Sequence, residues 1–252
     1  MKKIINHLLF ALLAAVSINS QAAGGAVALD KAPIDLRNAE SLQRGAQTFV
    51  NYCLSCHGAV AMRYNRLEDI GLSKEQIEKN LMFTTDKIGN PMKVAMDAKE
   101  GKAWFGATPP DLSLIARSRG SDWLYTYLRG FYRDDTRPTG WNNTVFDKVG
   151  MPNVLWQLQG QQILEVKKEG AHEVHTLKLA QPGLLTRGTE SGGYDNKEFD
   201  QRVGDLVNFM TYMSEPAQVK REQIGYAVVL FLLFILVPLT YLLKKEYWKD
   251  IH

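Results

Sequence analysis

The chain has 252 residues, 45% of them apolar and 23% charged, which is the composition of a globular protein and not of a disordered one. Its net charge of +3 comes from the two ends, because between residues 23 and 220 the 24 Lys and Arg balance 24 Asp and Glu. Without a clustered basic face, the chain is not expected to bind nucleic acid.

The N-terminus has the pattern of a secretory signal peptide. Two lysines follow the initial methionine, an apolar run covers residues 8–16, and small residues precede position 23. The apolar run is too short to span a bilayer. We therefore expect residues 1–22 to be a signal peptide and a domain at 23–220 to be exported.

Near the C-terminus, residues 224–243 carry no charge. A helix of that length covers about 30 Å, the thickness of the hydrocarbon core. Pro238 is expected to kink this helix, which membrane helices tolerate. Lysines follow the span, and the positive-inside rule keeps such a segment in the cytoplasm. We predict a transmembrane helix at 224–243 and a cytoplasmic tail at 244–252, which agrees with export of the domain.

The domain between the two ends is predicted to be mainly α. Helical spacing of apolar residues predicts helices at 39–51 and 199–213. A third helix is expected at 121–131, with Ser121 or Asp122 as its N-cap.

One β-hairpin is also predicted, within residues 163–180, where apolar and polar residues alternate around a central turn. The stretches 84–113 and 134–153 are rich in Gly, Pro, Asp and Asn. They are predicted to be long ordered loops, which in a compact domain usually wrap something. A short polar linker through Lys220 would join the last helix to the membrane span.

The first predicted helix runs directly into the CxxCH sequence at residues 53–57, the attachment motif of c-type haem. Its thiols, Cys53 and Cys56, would bond to the haem edge, and His57 would be the proximal iron ligand. A thioredoxin-type CxxC should instead follow a strand. A zinc site would need a fourth ligand, and a disulfide within the pair stays open. We predict one covalent haem c.

A methionine on the other side of the iron would give an electron-transfer haem with a raised potential. The other two histidines of the domain, His172 and His175, are three residues apart on a strand and would face opposite sides. Met151 is preferred, because Gly150-Met151-Pro152 is a loop stiffened by proline. The other methionines considered are Met62, which is close to His57 in sequence, Met210 and Met213, which suit the core, and Met82, Met92 and Met96.

Several segments together resemble cytochrome c1, the haem subunit of bacterial and mitochondrial bc1 complexes. They are RGAQTFVNYCLSCHG (44–58), MRYNRL (62–67), TPPDLSLIARSRGSDWLYTYLRGFYRD (108–134), GMPNVLWQLQG (150–160) and the C-terminal anchor. The resemblance covers nearly the whole chain after the signal peptide. It implies a class I cytochrome c-like haem domain with long loops and a small β-hairpin, plus one C-terminal transmembrane helix.

The resemblance also implies roles for single residues. Met151 would be the second axial ligand, and Pro110 would pack beside the haem. Arg119 would pair with a haem propionate, which a guanidinium can bind through two hydrogen bonds. Trp123 stands where family members often carry an aromatic residue near the haem, which puts in doubt any role for a phenolic hydroxyl there.

Class I cytochromes c usually cross their first and last helices closely. In this chain Gly45 and Phe49 suit the first side of such a crossing, and Gly204 and Phe209 would supply the other side. This crossing would form the haem cradle before the loops close over it.

The function implied by the resemblance is a single-electron relay without independent catalysis, in a quinol–cytochrome c reductase of the bacterial inner membrane. Electrons would arrive from the Rieske iron–sulfur protein and leave to a soluble cytochrome c, with cytochrome b and membrane lipid around the anchor. An acidic segment at 190–205 could steer a basic partner, although a solvated acidic face is the preferred explanation. The alternative is a membrane-anchored c-type cytochrome of another respiratory oxidase or dehydrogenase.

Overall fold

A computed structural model describes residues 28–169, 172–189 and 193–247, together with Lys249. The predicted signal peptide, the two residues at the tip of the hairpin and the last three residues of the tail lie outside the described residues.

Helices dominate the described chain, in agreement with the predicted mainly α class. They are α1 (Ala39–Tyr52), a 3-10 helix (Tyr64–Ile70), α2 (Lys74–Asn80), α3 (Ala98–Phe105), α4 (Ile115–Arg119), α5 (Ser121–Arg129), α6 (Trp156–Gln159), α7 (Lys197–Ser214), α8 (Gln218–Phe231), a π-helical segment (Leu232–Leu236) and α9 (Val237–Tyr247). The strands are β1 (Ala59–Arg63), β2 (Pro91–Met92), β3 (Phe131–Arg133), β4 (Trp141–Asn143), β5 (Gly160–Glu169), β6 (His172–Pro182), β7 (Arg187–Gly188) and β8 (Tyr194–Asp195), paired as four antiparallel two-stranded sheets among the described residues.

The main core forms where α1 crosses α7. A Cβ added to Gly45 would lie 2.6 Å from the Cβ of Phe209, so only glycine permits this approach. One turn along α1, the Phe49 ring lies 5.7 Å from the Phe209 ring, and both side chains are fully buried. The predicted crossing is confirmed at these three positions.

Gly204 does not take part in that crossing, and the prediction for it was wrong. A Cβ at Gly204 would lie 2.7 Å from Cγ of Pro33, in the segment that precedes α1. The residue that follows, Asp205, points to α1 instead and accepts two hydrogen bonds from Arg44, at 2.6 and 3.1 Å. Successive helical residues face directions about 100° apart, so Gly204 packs against the segment before α1 while Asp205 faces α1 itself.

Helix α5 begins as predicted but is capped differently. Its N-cap is Gly120, with φ of +90°, and no side chain caps the helix. Ser121 is already helical and shares a hydrogen bond of 2.9 Å with the Thr211 hydroxyl of α7. The Asp122 carboxylate accepts from the backbone N–H of Ala32 at 2.9 Å. Both polar side chains therefore bind neighbouring segments, which local sequence rules cannot anticipate.

The predicted hairpin is confirmed as β5 and β6, which pair from Gly160↔Pro182 to Glu169↔His172. Gln162 connects it to the end of α5 and the start of β3, because its side-chain amide donates to the carbonyls of Arg129 and Phe131 at 2.9 Å each. The two long stretches predicted as loops contain α3 and the short strands β2 and β4.

The C-terminal helical segment is the one element among the described residues that is long and apolar enough to cross a membrane. It covers Gln218–Tyr247, with a mean hydropathy of 2.6 over its most apolar part and no residue of that part buried. The helix begins at Gln218, so the linker is shorter than predicted. The π-helical segment ends two residues before Pro238, whose ring would clash with the carbonyl four residues earlier in a regular α-helix.

Candidate functional site

A cavity of about 370 Å³ lies among α1, α4, α5, α7 and the loop that precedes α6. Its size is within the usual range for small-molecule and cofactor sites, and its wall is mostly apolar. All the predicted site residues line it, namely Cys53, Cys56, His57, Pro110, Arg119 and Met151. The two stretches predicted to wrap something contribute Phe105, Pro109, Phe146 and Pro152 to the same wall.

The two cysteines are presented by the end of α1. Cys53 follows the helix directly, and its N–H donates to the Phe49 carbonyl, while the N–H of His57 donates to the Cys53 carbonyl at 2.8 Å. This tight turn places both thiols and the imidazole on the cavity wall, and the thiols are free. Burial, and then the charge of Cys56, raise the pKa of Cys53 to about 12. The motif follows helix α1, whereas a thioredoxin-type CxxC follows a strand, so the thioredoxin alternative is not supported.

The imidazole of His57 is oriented by the loop ahead of α4. Its Nδ1 lies 2.7 Å from the Pro110 carbonyl oxygen. Because a carbonyl only accepts, Nδ1 carries the proton and Nε2 keeps the lone pair that a metal ligand needs. Burial lowers the pKa of His57, against the opposing effects of the Pro110 hydrogen bond and of Asp111. The imidazole is thus held neutral.

The same loop is fixed onto the segment that follows the CxxCH motif. The Asp111 carboxylate accepts from the backbone N–H groups of Val60, at 3.0 Å, and Ser113, at 2.9 Å. The N–H of Leu112 donates to the Gly58 carbonyl at 2.8 Å. These bonds set the position of Pro110 relative to His57. Sequence reasoning expected Pro110 only to pack at the site and missed that its carbonyl orients the histidine.

Met151 lines the cavity from the loop between β4 and α6. It packs on a small cluster formed by Phe131, Trp141 and Val149, which is separate from the main core. Its sulfur accepts a hydrogen bond of 3.4 Å from the Tyr127 hydroxyl. Burial raises the pKa of Tyr127, so its hydroxyl stays protonated and able to donate.

The other methionines are placed less favourably. Met62, Met92 and Met213 are buried in the main core and do not line the cavity. Met82 packs against that core from outside, and Met96 packs over Gly101. Met210 does line the cavity, but it belongs to the same core cluster as Cys53. Of the methionines weighed, Met151 alone combines a place on the wall with a position outside the main core.

Arg119, Trp123 and Tyr127 form a column along one side of the cavity. The guanidinium of Arg119 lies 5.2 Å from the Trp123 ring centre, and Trp123 stacks on Tyr127 at 4.8 Å with an angle of 11°. Although position 123 carries a tryptophan, a phenolic hydroxyl is present at the cavity one turn later, on Tyr127. Sequence reasoning missed Tyr127, although the spacing of Trp123, Tyr127 and Phe131 at every fourth position was a visible signal.

The acidic segment is largely occupied by internal ion pairs. Asp200 accepts two hydrogen bonds from Arg129, at 2.7 and 3.2 Å, and Asp205 is bound by Arg44. Glu198 pairs with Arg187 at 3.1 Å. Glu190 lies outside the described residues. Carboxylates that already have partners attract a basic protein less, which weakens the idea of a docking face here.

Comparison with known proteins agrees with the geometry of the cavity. Residues 30–251 match the family described as the cytochrome C1 family. Cytochrome c1 of Allochromatium vinosum is 48% identical over 245 residues, covering 96% of this chain and 97% of that protein. Cytochrome c1 of Rhodospirillum rubrum is 30% identical, covering 83% and 81% of the two chains.

A protein of Nitrosomonas europaea named ammonia monooxygenase gamma subunit is 50% identical over 250 residues, covering 99% of this chain and 100% of that protein. Its name differs from those of the two cytochromes c1, but its similarity likewise extends over nearly the whole of both chains. The family match covers most of the chain, and two cytochromes c1 are similar to it over four fifths of their length or more. The chain therefore belongs to the cytochrome c1 family, the membrane-anchored haem subunits that transfer electrons in bc1 complexes.

Proposed function

We propose that the chain carries one haem c, bound through thioethers to Cys53 and Cys56, with His57 and Met151 as the axial iron ligands. The observation that carries this proposal is the position of all four side chains on one mostly apolar cavity. Two thiols, an imidazole whose Nε2 is free to coordinate and a thioether are together the donor set of a His/Met c-type haem.

When bound, the haem supplies a one-electron couple between ferric and ferrous iron. The chain's own residues hold its surroundings fixed. Pro110 orients the His57 imidazole, Tyr127 donates to the Met151 sulfur, and the apolar wall excludes water. With both axial positions filled, a substrate has no free coordination site, so the chain relays electrons and does not catalyse a reaction of its own.

Arg119 is proposed to bind a haem propionate. Its guanidinium lines the cavity beside Trp123, in a wall that otherwise offers few charged groups. A guanidinium can form two parallel hydrogen bonds with a carboxylate, which suits a propionate at the edge of the cavity.

The covalent bonds and the axial ligand can be tested separately. If the thioethers are present, the protein keeps its haem stain on a denaturing gel, and the Cys53→Ala, Cys56→Ala variant does not.

Met151→Leu should lose the absorption band of methionine-ligated ferric haem and should bind carbon monoxide when reduced, with a large fall in the midpoint potential. Met96→Leu is the control, because Met96 does not line the cavity. An unaltered spectrum and potential in Met151→Leu would exclude the assignment.

We further propose the bacterial inner membrane as the location, with the haem domain in the periplasm. The signal-like N-terminus and the two lysines in the last turn of α9, Lys244 and Lys245, support this orientation. Electrons would come from the Rieske protein and pass to a soluble cytochrome c, with cytochrome b around the anchor helix. If the domain is periplasmic, protease added to intact spheroplasts should cleave it at its exposed loops, and the same protease added to inverted membrane vesicles should leave it intact. The reverse pattern would contradict the proposed orientation.

The parent complex is tested by purification in mild detergent. Co-purification of cytochrome b and a Rieske protein, with reduction of soluble cytochrome c by a quinol, is the expected result. Recovery of monooxygenase subunits instead would place this chain in the complex that the name of the Nitrosomonas relative indicates.

A further inference from the structure

The loop that carries Met151 is held at its start by two adjacent buried asparagines, Asn142 and Asn143. They end β4, which pairs with β3 so that Phe131 lies opposite Asn143. The side-chain oxygen of Asn143 accepts hydrogen bonds from the backbone N–H groups of Val145 and Phe146, at 2.9 and 3.3 Å. Its side-chain nitrogen donates to the Tyr127 carbonyl at 2.8 Å. The loop therefore begins in a fixed relation to the helix that supplies Tyr127.

The side-chain amide of Asn142 forms hydrogen bonds through both its oxygen and its nitrogen. Its oxygen accepts from the backbone N–H groups of Asn143 and Lys148, each at 2.9 Å. Its nitrogen donates to the carboxylates of Asp134 and Asp147, each at 3.0 Å. One buried side chain thus joins the strand to a point three residues before Met151.

That point is conformationally unusual. Lys148 has φ of +58° and is the one non-glycine residue with positive φ among the residues described. A side chain disfavours this conformation, which persists only where the surroundings enforce it. Here the N–H of Lys148 is bound by Asn142, and its carbonyl accepts from the Arg137 guanidinium at 3.1 Å. The Lys148 side chain itself is exposed and takes no part.

The bend at Lys148 directs the chain against α3. A Cβ on Gly150 would lie 2.7 Å from the Phe105 carbonyl oxygen, so the loop touches the end of that helix with no room to shift inwards. Val149 is buried in the cluster on which Met151 packs. The position of Met151 therefore follows from the bend before it.

We propose that Asn142 is a positioning residue for the iron ligand, which holds Lys148 in its left-handed conformation and thereby holds Met151 at the cavity. This inference rests on the proposed axial role of Met151. Asn142 does not touch the cavity, so it acts only through the backbone of the loop.

The test uses Asn142→Leu in the full-length haem protein, a change of similar size that removes all four hydrogen bonds. The fraction of molecules in which Met151 has left the iron is measured by carbon monoxide binding to the reduced protein. This fraction should rise about tenfold or more, as is usual when a residue that orients a metal ligand is lost. The amides of residues 148–151 should exchange with solvent faster. Adding Lys148→Gly should restore most of the ligation, because glycine adopts positive φ without help.

Asn208→Leu is the matched control. Asn208 is also fully buried and bonded through both ends of its amide, to Asp35 and Ser41, but it lies between α7 and the start of the domain. It should destabilise the protein without loosening Met151. If Asn142→Leu shows no more carbon monoxide binding than this control, or if Lys148→Gly does not restore ligation, the proposal is overturned.

Met151→Leu, measured in parallel, distinguishes failure of the proposed axial ligand from failure of the proposed role of Asn142. If that variant keeps the native spectrum, the axial assignment fails and the positioning role falls with it. If it loses the spectrum while Asn142→Leu keeps both the spectrum and slow exchange at residues 148–151, the axial assignment stands and only the role of Asn142 is rejected.

Discussion

At the scale of the single residue, the hydroxyl of Tyr127 has the most direct effect on the chemistry of the site. It donates to the Met151 sulfur at 3.4 Å, from a helix packed in the core. If Met151 binds the iron as proposed, a donor on its sulfur would withdraw electron density from the iron. It would therefore favour the ferrous state, which needs less electron donation from its ligands.

Tyr127→Phe should lower the midpoint potential by up to about 40 mV. The shift equals the difference in hydrogen-bond energy between the two oxidation states, a neutral hydrogen bond contributes about 1 kcal/mol in all, and 1.4 kcal/mol corresponds to about 59 mV for one electron. Redox titration of the full-length protein measures the change. Tyr125→Phe is the control on the same helix, since Tyr125 does not line the cavity. An equal shift in both variants, or a rise in potential, would contradict the role given to the hydroxyl.

At the scale of the element, the distance between α1 and α7 is set by Gly45. A Cβ there would meet the backbone oxygen of Asp205 as well as Phe209, and backbone cannot move aside as a flexible side chain can. The CxxCH motif follows α1 immediately, so any separation of the two helices also displaces the Cys53 and Cys56 thiols and the His57 imidazole.

Gly45→Ala should reduce the free energy of unfolding by about 2–3 kcal/mol, the usual cost of overpacking a core. Gly89→Ala is the control, because no atom lies within 4 Å of a Cβ added there. Denaturant unfolding followed by circular dichroism gives both values. Equal stability of the two variants would show that the helices can separate without cost.

The elements differ in how far sequence could predict them. Apolar spacing was sufficient for α1, α7 and the hairpin, because their periodicity reflects burial directly. The N-cap of α5 was not predictable, since Ser121 and Asp122 bind segments 90 residues away in the chain. The same is true of the site. Motifs placed six residues on the cavity, and the spacing of aromatic residues could have indicated Tyr127 as well. The roles of Asn142 and the Pro110 carbonyl, in contrast, depend on contacts that no local pattern encodes.

At the scale of the whole molecule, Arg129 joins segments from across the chain. Its guanidinium binds Asp200 of α7 at 2.7 and 3.2 Å and Asp30 of the N-terminal segment at 2.7 Å, and it lies 4.4 Å from the Tyr125 ring centre. Its backbone carbonyl accepts from Gln159 and Gln162 at the base of the hairpin.

Arg129→Met should cost about 2–3 kcal/mol of unfolding free energy, because it leaves two carboxylates without their half-buried partner. Arg187→Met is the matched control. Its side chain is 79% exposed and pairs with Glu198 in the same turn of α7, so its loss should cost less than about 1 kcal/mol. A similar loss of unfolding free energy in the two variants would mean that burial of Arg129 does not strengthen its ion pairs.

The haem domain meets its membrane helix through three residues, Glu215, Pro216 and Ala217. The Glu215 carboxylate binds Arg221 of the membrane helix and lies 3.9 Å from Arg117 of α4, so the junction is braced on both sides. A tether this short leaves the domain little freedom to swing or to rise from the bilayer. The cavity on which the predicted haem ligands lie therefore keeps a nearly constant distance from the start of the membrane helix.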